Sequence, residues 1–188
     1  MNTPGSNNDK HRRDILKLGL TLTTTSLARA QDNPAAARPK PGDLLIKAGD
    51  GTATPLTPAD IPENAKQILA WALDPDIRTL RSASRLNRVM LVRLDPQKMS
   101  AETKPHAAEG VLAYSAICSH AGCDVSDWVP DDQTLFCSCH SSKFDPRDGA
   151  KVLEGPATHP LPALPLKIID GKLTVASPFT ARIAFEQG

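Results

Sequence analysis

The chain has 188 residues, a formal net charge of +1 at pH 7 and an aromatic content of only 4%. Its first 30 residues carry a net charge of +3 and residues 31–188 carry −2, a near-neutral balance that gives no indication of a basic surface for nucleic acid or for an anionic membrane. Residues 31–188 suffice for one largely aliphatic hydrophobic core, but not comfortably for two.

The first 30 residues are similar to a twin-arginine export signal. Residues 11–17 read H-R-R-D-I-L-K, and a weakly apolar run and an A-x-A cleavage candidate at 28–30 follow. Only fifteen residues separate Arg13 from Arg29, which as a helix span about 22 Å against a bilayer core of about 30 Å. A cleaved signal is therefore favoured over a retained membrane anchor. The alternative is a short amphipathic helix that happens to carry two arginines.

The pattern along the rest of the chain predicts short strands and little helix. Residues 31–42 are rich in Pro and Ala and predict an extended leader. Apolar residues at helical spacing predict one short helix at 64–73, and the polar connection at 97–110 predicts a surface loop. β-branched or apolar runs that end at turn residues predict strands at 44–48, 88–94, 111–117, 134–137, 143–144, 166–169 and 172–176, the last two joined by the hairpin turn Asp170-Gly171.

All four cysteines lie in two short cysteine–histidine boxes, C-S-H-A-G-C at residues 118–123 and C-S-C-H-S-S at residues 137–142. Each box offers one Cys and one His at short spacing, and each carries one further Cys. The set is two thiolates, two imidazoles and a leftover pair that could close a disulfide. It suits an iron–sulfur cluster or zinc. A structural zinc site is the alternative, but its loops usually pair Cys with Cys and His with His, whereas each box here mixes the two.

The two boxes closely resemble the Rieske family, whose pattern is C-x-H-x-G-C followed by C-x-C-H-x-S. The resemblance is specific over residues 114–160. It implies a [2Fe–2S] cluster whose buried iron is held by Cys118 and Cys137 and whose outer iron is held by His120 and His140. Ser142 matches a serine that donates to a bridging sulfide.

The same resemblance implies the fold. We expect an all-β, Rieske-type fold of small antiparallel sheets over residues 43–188, with an inserted cluster-binding subdomain of two loops at about 112–160. Residues 155–157, Gly-Pro-Ala, match the proline loop that covers the cluster in the family. A simple turn is the alternative for these three residues.

Cys123 and Cys139 match the extra pair that bridges the two cluster loops in the respiratory branch of the family. Rieske oxygenases and their soluble ferredoxins lack this pair, so we expect a Cys123–Cys139 disulfide. Such a bond persists in an oxidising compartment, which agrees with the predicted export signal.

Two positions near the second box depart from the cytochrome bc type. Phe144 stands where many high-potential members carry a Tyr that donates to a cysteine sulfur, and Phe has no such donor. Hydrogen bonds to the sulfurs raise the potential, so we expect a potential below that of Tyr-bearing relatives. Ser141 stands where the cytochrome bc type prefers Gly. Together the two residues look more like the small Rieske subunit of arsenite oxidase, unless position 141 tolerates many residues and identifies no subfamily.

Four further residues are candidates that we expect to have structural roles. His106 and His159 are expected to be solvated, and Trp128 is expected to pack against the cluster loops. Asp124, just after the first box, is expected to be solvated or to form a turn.

The resemblance implies electron transfer rather than catalysis by this chain alone. We expect a periplasmic electron-transfer protein or subunit that relays single electrons between a redox enzyme subunit, for example a molybdopterin protein, and a cytochrome-type acceptor. The alternative is the iron–sulfur subunit of a quinol-oxidising cytochrome bc complex, with membrane association through an uncleaved signal. An oxygenase or its ferredoxin is disfavoured by the short chain, the extra Cys pair and the export signal.

Overall fold

A computed structural model describes residues 33–183, and their regular structure is almost entirely β. The helical segments in this range are four single 3₁₀ turns, at Pro58–Asp60, Arg85–Asn87, Pro96–Lys98 and Lys104–His106. The prediction of an all-β fold is confirmed. The strands are β1 Leu44–Lys47, β2 Ile68–Asp74, β3 Thr79–Leu80, β4 Val89–Arg93, β5 Val111–Ser115, β6 Asp127–Val129, β7 Thr134–Cys137, β8 Ser142–Asp145, β9 Lys151–Glu154, β10 Leu166–Ile169 and β11 Lys172–Val175.

The larger sheet, which we call the base sheet, has the strand order β10-β11-β1-β2-β4-β5, with β3 paired to β2. All its neighbouring strands are antiparallel, and β1 and β11 bring together segments from distant parts of the chain. The β10–β11 hairpin has the predicted two-residue turn, since Ile169 pairs with Lys172 and both Asp170 and Gly171 have positive φ. That conformation is typical of a type I′ turn.

The smaller sheet, which we call the cluster sheet, has the order β6-β7-β8-β9 and is inserted between β5 and β10. The chain leaves and re-enters the base sheet at adjacent points, because the Ser115 amide donates to the Pro162 carbonyl at 2.9 Å and Tyr114 pairs with Ala163. Both cysteine–histidine boxes lie within this insertion.

The side chains of β4 and β5 alternate between two hydrophobic clusters. Val89 and Leu91 face one cluster with residues of β1, β2 and β11. Met90 and Tyr114 face the other, which also contains Phe144 and both free cysteines. The second cluster therefore packs the inserted segment against the base sheet.

The predicted helix at 64–73 is wrong, since most of this segment forms β2. Ala70 and Ala72 are fully buried while Trp71 and Leu73 are half-buried, which is the period of two that a strand requires. Pairing with β1 on one side and β4 on the other supplies hydrogen bonds and burial that outweigh the helical preference of alanine.

The other predicted strands are present, with ends within two residues of those expected. The sequence did not predict the short strands β3, β6 and β9. The connection at 97–110 is irregular apart from its 3₁₀ turns, and it buries Met99 and Thr103. Between residues 33 and 183 the structure contains no helix with the length and apolarity to cross a bilayer. The predicted export signal at 1–30 lies outside the described residues.

A buried ion cluster ties the end of β2 to the start of β1. The Arg81 guanidinium donates to Asp43 at 2.5 Å and to Asp74 at 2.8 Å, and Lys40 pairs with Asp74 at 2.7 Å. The hydrogen bond from Lys40 is the main reason that the pKa of Asp74 is lowered, although burial opposes it. This cluster lies in the base sheet, away from the two boxes.

Candidate metal centre

The first box forms a tight loop directly after β5. The Cys118 amide donates to the Cys123 carbonyl at 2.8 Å, and the Gly122 amide donates back to the Cys118 carbonyl at 3.0 Å. Gly122 has a φ of +69°, a conformation that glycine adopts at little steric cost. The loop therefore places Cys118 at its base and His120 at its exposed tip.

The second box is the turn of the β7–β8 hairpin. Cys137 and Ser142 are paired across the hairpin, so residues 138–141 form its four-residue loop. Ser141 has a φ of +59°. An L-residue pays a steric cost there that glycine avoids, which gives a physical reason for the glycine that the cytochrome bc type prefers at this position.

A disulfide joins the two loops. Cys123 and Cys139 are bonded, with their Cα atoms 6.5 Å apart, so the predicted bridge is confirmed. Three sulfurs, those of Cys123, Cys137 and Cys139, lie within 4.8 Å of one another. Two of them are consumed by the disulfide, so this trio is not a metal site.

The four remaining donor side chains differ in their exposure to solvent. Cys118 and Cys137 are free and are only 2% and 1% exposed, while His120 and His140 are exposed. The two imidazole rings lie 4.7 Å apart between centroids, in an edge-to-face arrangement. Two soft sulfur donors inside and two nitrogen donors outside are a donor set that fits a two-iron cluster.

Burial raises the pKa of the Cys137 thiol, and its contact with Cys118 raises it further. Without a cation, the Cys137 side chain is therefore held as a thiol. A bound metal ion stabilises the thiolate form, so the site is built to ionise when a metal binds.

The predicted proline loop packs on both boxes. The Ala157 amide donates to the Ser142 hydroxyl at 3.2 Å, and the Ser119 hydroxyl donates to the His159 carbonyl at 2.5 Å. Ser142 thus accepts one hydrogen bond and keeps its own hydrogen for another acceptor. Gly155, with a φ of +86°, lies against the backbone of Ser142.

Trp128 packs against the hydrophobic cluster and His159 is exposed, as predicted, but His106 is half-buried rather than solvated. Phe144 is fully buried on the same face of β8 as Ser142. Trp128 is half-buried against the same hydrophobic cluster, and its indole nitrogen has no hydrogen-bond partner within the described residues. His159 is exposed and His106 is half-buried, and both line a cavity of about 720 Å³ beside Ser119 rather than joining the four donors.

The expectation that Asp124 is solvated or merely forms a turn is incomplete. Its carboxylate binds Arg85 at 2.9 Å and also binds Arg88. Burial would raise the pKa of Asp124, but the hydrogen bonds from Arg88 and Arg85 outweigh it and lower the pKa. The sequence did not single out either arginine, because both lie more than 30 residues before Asp124.

A family model described as the Rieske [2Fe-2S] domain matches residues 87–165. The cytochrome bc1 complex Rieske iron-sulfur subunit of Streptomyces lividans is 32% identical over 131 residues, which cover 69% of this chain and 76% of that protein. The subunit of the same name from Streptomyces coelicolor is also 32% identical, but the match covers only 36% of its length. A putative respiratory nitrate reductase subunit Rieske of Haloferax mediterranei is 52% identical over 59 residues, 31% of this chain and 26% of that protein.

Among solved structures, the cyanobacterial plasma membrane Rieske protein PetC3 from Synechocystis is similar. It shares 24% identity with a TM-score of 0.41, and the match covers 64% of this chain and 95% of that one.

Proposed function

Because the chain belongs to the Rieske iron–sulfur family and carries that family's [2Fe–2S] cluster for electron transfer, we propose that the two boxes supply all four cluster ligands. Cys118 and Cys137 hold the inner iron. His120 and His140 hold the outer iron. The observation that carries this proposal is the division of these donors into two buried thiols and two exposed imidazoles on loops joined by a disulfide.

The cluster, when bound, takes up and gives back one electron at a time. The chain's own residues set the conditions for that transfer. Ser142 has a hydroxyl hydrogen available for a sulfur acceptor, and the packed proline loop keeps water from that side of the site. The exposed edge formed by His120 and His140 is the shortest way in or out for an electron, so a redox partner docks there.

For its place in the cell, we propose a periplasmic electron-transfer protein or subunit. It relays electrons between a redox enzyme subunit, for example a molybdopterin protein, and a cytochrome-type acceptor. The disulfide supports an oxidising compartment, and the sequence of residues 11–17 supports twin-arginine export. The relative named as a nitrate reductase subunit supports assembly with a larger redox enzyme.

The second candidate is the iron–sulfur subunit of a quinol-oxidising cytochrome bc complex. The Streptomyces relatives that bear this name favour it. Ser141 and Phe144, which depart from the cytochrome bc pattern, and the short apolar run near the N-terminus count against it.

Metal analysis of the purified protein tests the ligand assignment. We expect about two iron atoms and two sulfides per chain, and loss of both in Cys137→Ser and in His140→Ala. His159→Ala and His106→Ala are matched controls, since these histidines lie outside the four donors and should keep the iron content. Retention of the full cluster in His140→Ala, or its loss in the two controls, would contradict the assignment.

Purification of the native complex separates the two candidates. A molybdenum-containing partner supports the relay, whereas haem b together with quinol oxidation selects the cytochrome bc subunit. Cell fractionation after a combined Arg12→Lys and Arg13→Lys change tests export. The variant should stay in the cytoplasm, and its appearance in the periplasm would contradict the twin-arginine signal.

A further inference from the structure

The first box is held from outside the cluster sheet by two arginines. Arg85 lies in the 3₁₀ turn before β4, and Arg88 follows that turn. The Nη2 atom of Arg85 donates both to the Gly122 carbonyl at 2.7 Å and to the Asp124 carboxylate at 2.9 Å. Arg88 binds the other oxygen of the same carboxylate. Charged side chains from outside the first box therefore connect this box to the segment that leads into β4 of the base sheet.

The loop backbone that Arg85 contacts is hydrogen-bonded to Cys118, a proposed cluster ligand. Gly122, which Arg85 holds by its carbonyl, donates its amide to the Cys118 carbonyl at 3.0 Å. At the other side of the loop, the Ala116 amide donates to the Arg88 carbonyl at 3.0 Å, and Ile117 pairs with Asp124. Both ends of the loop that carries Cys118 are therefore fixed to the segment that contains the two arginines.

The same three residues place charge beside the cluster site. Two guanidinium groups face one carboxylate, which leaves one positive charge next to the first box. The side chains of Arg85, Arg88 and Asp124 are 56%, 22% and 45% exposed, so water screens the charge of Arg85 most and that of Arg88 least. A positive charge stabilises the reduced, more negative form of a redox centre, and a negative charge stabilises the oxidised form.

We propose that Arg85, Arg88 and Asp124 form a charged brace that positions the first box and adjusts the redox potential of the cluster. The brace rests on the proposed function, since it acts through the loop that carries Cys118 and His120. Its members are positioning residues, because they act through Gly122 and the loop backbone.

Two readouts on the protein as purified test the brace. Hydrogen exchange followed by mass spectrometry reports on the peptide that contains the amides of Cys118 and Gly122. Redox titration reports on the cluster. Arg85→Gln should exchange about fivefold faster in this peptide, which corresponds to about 1 kcal/mol, and its potential should fall. Asp124→Asn should also exchange faster, but its potential should rise because a negative charge is lost. A purely structural role would not give opposite shifts.

Two further variants sharpen the test. Arg85→Lys keeps the charge, so its potential should stay near that of the wild type, but an ammonium lacks the planar fork and the exchange should be faster. Arg93→Gln is the matched control. Arg93 also donates to a backbone carbonyl, that of Glu109 at 3.3 Å, and pairs with a carboxylate, that of Glu63 at 3.6 Å, but it lies at the opposite end of β4. It should change neither readout.

Unchanged exchange in Arg85→Gln, or potential shifts of the same sign in Arg85→Gln and Asp124→Asn, would overturn the brace. The iron content of the wild type compared with that of Cys137→Ser and His140→Ala reports on the ligand assignment separately. A failure of the brace is thereby distinguished from a failure of the proposed function.

Discussion

Substitution of Gly155 by alanine should displace the proline loop from the second box. Gly155 has a φ of +86°, and a Cβ added there would lie 2.6 Å from the Ser141 carbonyl oxygen and 2.6 Å from the Ser142 Cα. Both are backbone atoms of the β7–β8 hairpin that carries His140, one at the end of its loop and one at the start of β8. They cannot move aside as a flexible side chain would, so the proline loop must move instead.

The cost has two parts. An L-residue in the left-handed region costs about 1–2 kcal/mol. The Cβ contacts lie roughly 1 Å inside ordinary van der Waals separation, and forcing extra volume into a packed site costs about 1–3 kcal/mol. We therefore expect Gly155→Ala to lower the free energy of unfolding by about 2–5 kcal/mol. We also expect faster loss of the cluster, because water reaches the side that the loop covered.

Substitutions at two other glycines separate the conformational cost from the steric cost. Gly171 has a φ of +72° with no atom near its added Cβ, so Gly171→Ala carries only the conformational cost. Gly110 has a φ of +81°, and its Cβ would lie 2.7 Å from the Leu94 carbonyl oxygen, so Gly110→Ala carries both costs at the end of β5 remote from the boxes. Thermal unfolding and the rate of loss of visible cluster absorbance should be measured on all three variants. The reasoning is refuted if Gly155→Ala loses no more stability than Gly171→Ala, or if Gly110→Ala loses the cluster as fast as Gly155→Ala.

Three further changes have expected outcomes. Phe144→Tyr should raise the redox potential measured by titration, because it adds a hydrogen-bond donor on the cluster-facing side of β8. The control Phe136→Tyr, whose side chain lies on the opposite face of β7, should leave the potential unchanged. An equal or lower potential in Phe144→Tyr would contradict this expectation. Cys139→Ser removes the disulfide, which should lower the free energy of unfolding by about 3 kcal/mol and lower Tm by roughly 6–12 °C. Addition of a reductant should lower the Tm of the wild type by a similar amount. An unchanged Tm would contradict this expectation. The lowered pKa of Asp74, which comes mainly from its hydrogen bond with Lys40, means that its contribution to stability is present above a pH of 3.8 and is lost as pH falls through its folded-state pKa. Asp74→Asn should therefore be less stable at neutral pH and should lose less stability below pH 4, as measured by Tm from pH 2 to 6; parallel Tm curves for the two proteins would argue against it.

The fold and the donor set could be predicted where the signal is local. Each box is contiguous, so the sequence displays its candidate donors directly, and the resemblance to the family then implies which cysteines and histidines are ligands and which two cysteines form the bridge. β-branched runs such as that of β4, and a two-residue turn such as Asp170-Gly171, also specify their structure within a few residues. Each of these features depends on neighbours in sequence, which a single chain displays.

The features that escaped prediction depend on distant partners. The segment of β2 is rich in alanine and has helical spacing, and only its neighbours β1 and β4 make it a strand. Strands β6 (D-W-V) and β9 (K-V-L-E) are only three and four residues long, so they are too short to display the alternation of apolar and polar residues that marks a strand. The partners of Asp124 lie 39 and 36 positions earlier in the chain, and no pattern of spacing connects them.

The adjacency of Ser115 and Pro162 gives the chain a modular design. Strands β1 and β11 are neighbours in the base sheet, and they lie before and after the inserted segment in the sequence. The two boxes and the proline loop therefore form one continuous stretch of chain whose two ends are adjacent in the structure. Insertions, deletions or replacements within that stretch leave the register of β1, β2 and β11 unaltered. Partner choice and part of the redox tuning can therefore diversify in the insertion while β1, β2 and β11 are inherited without change.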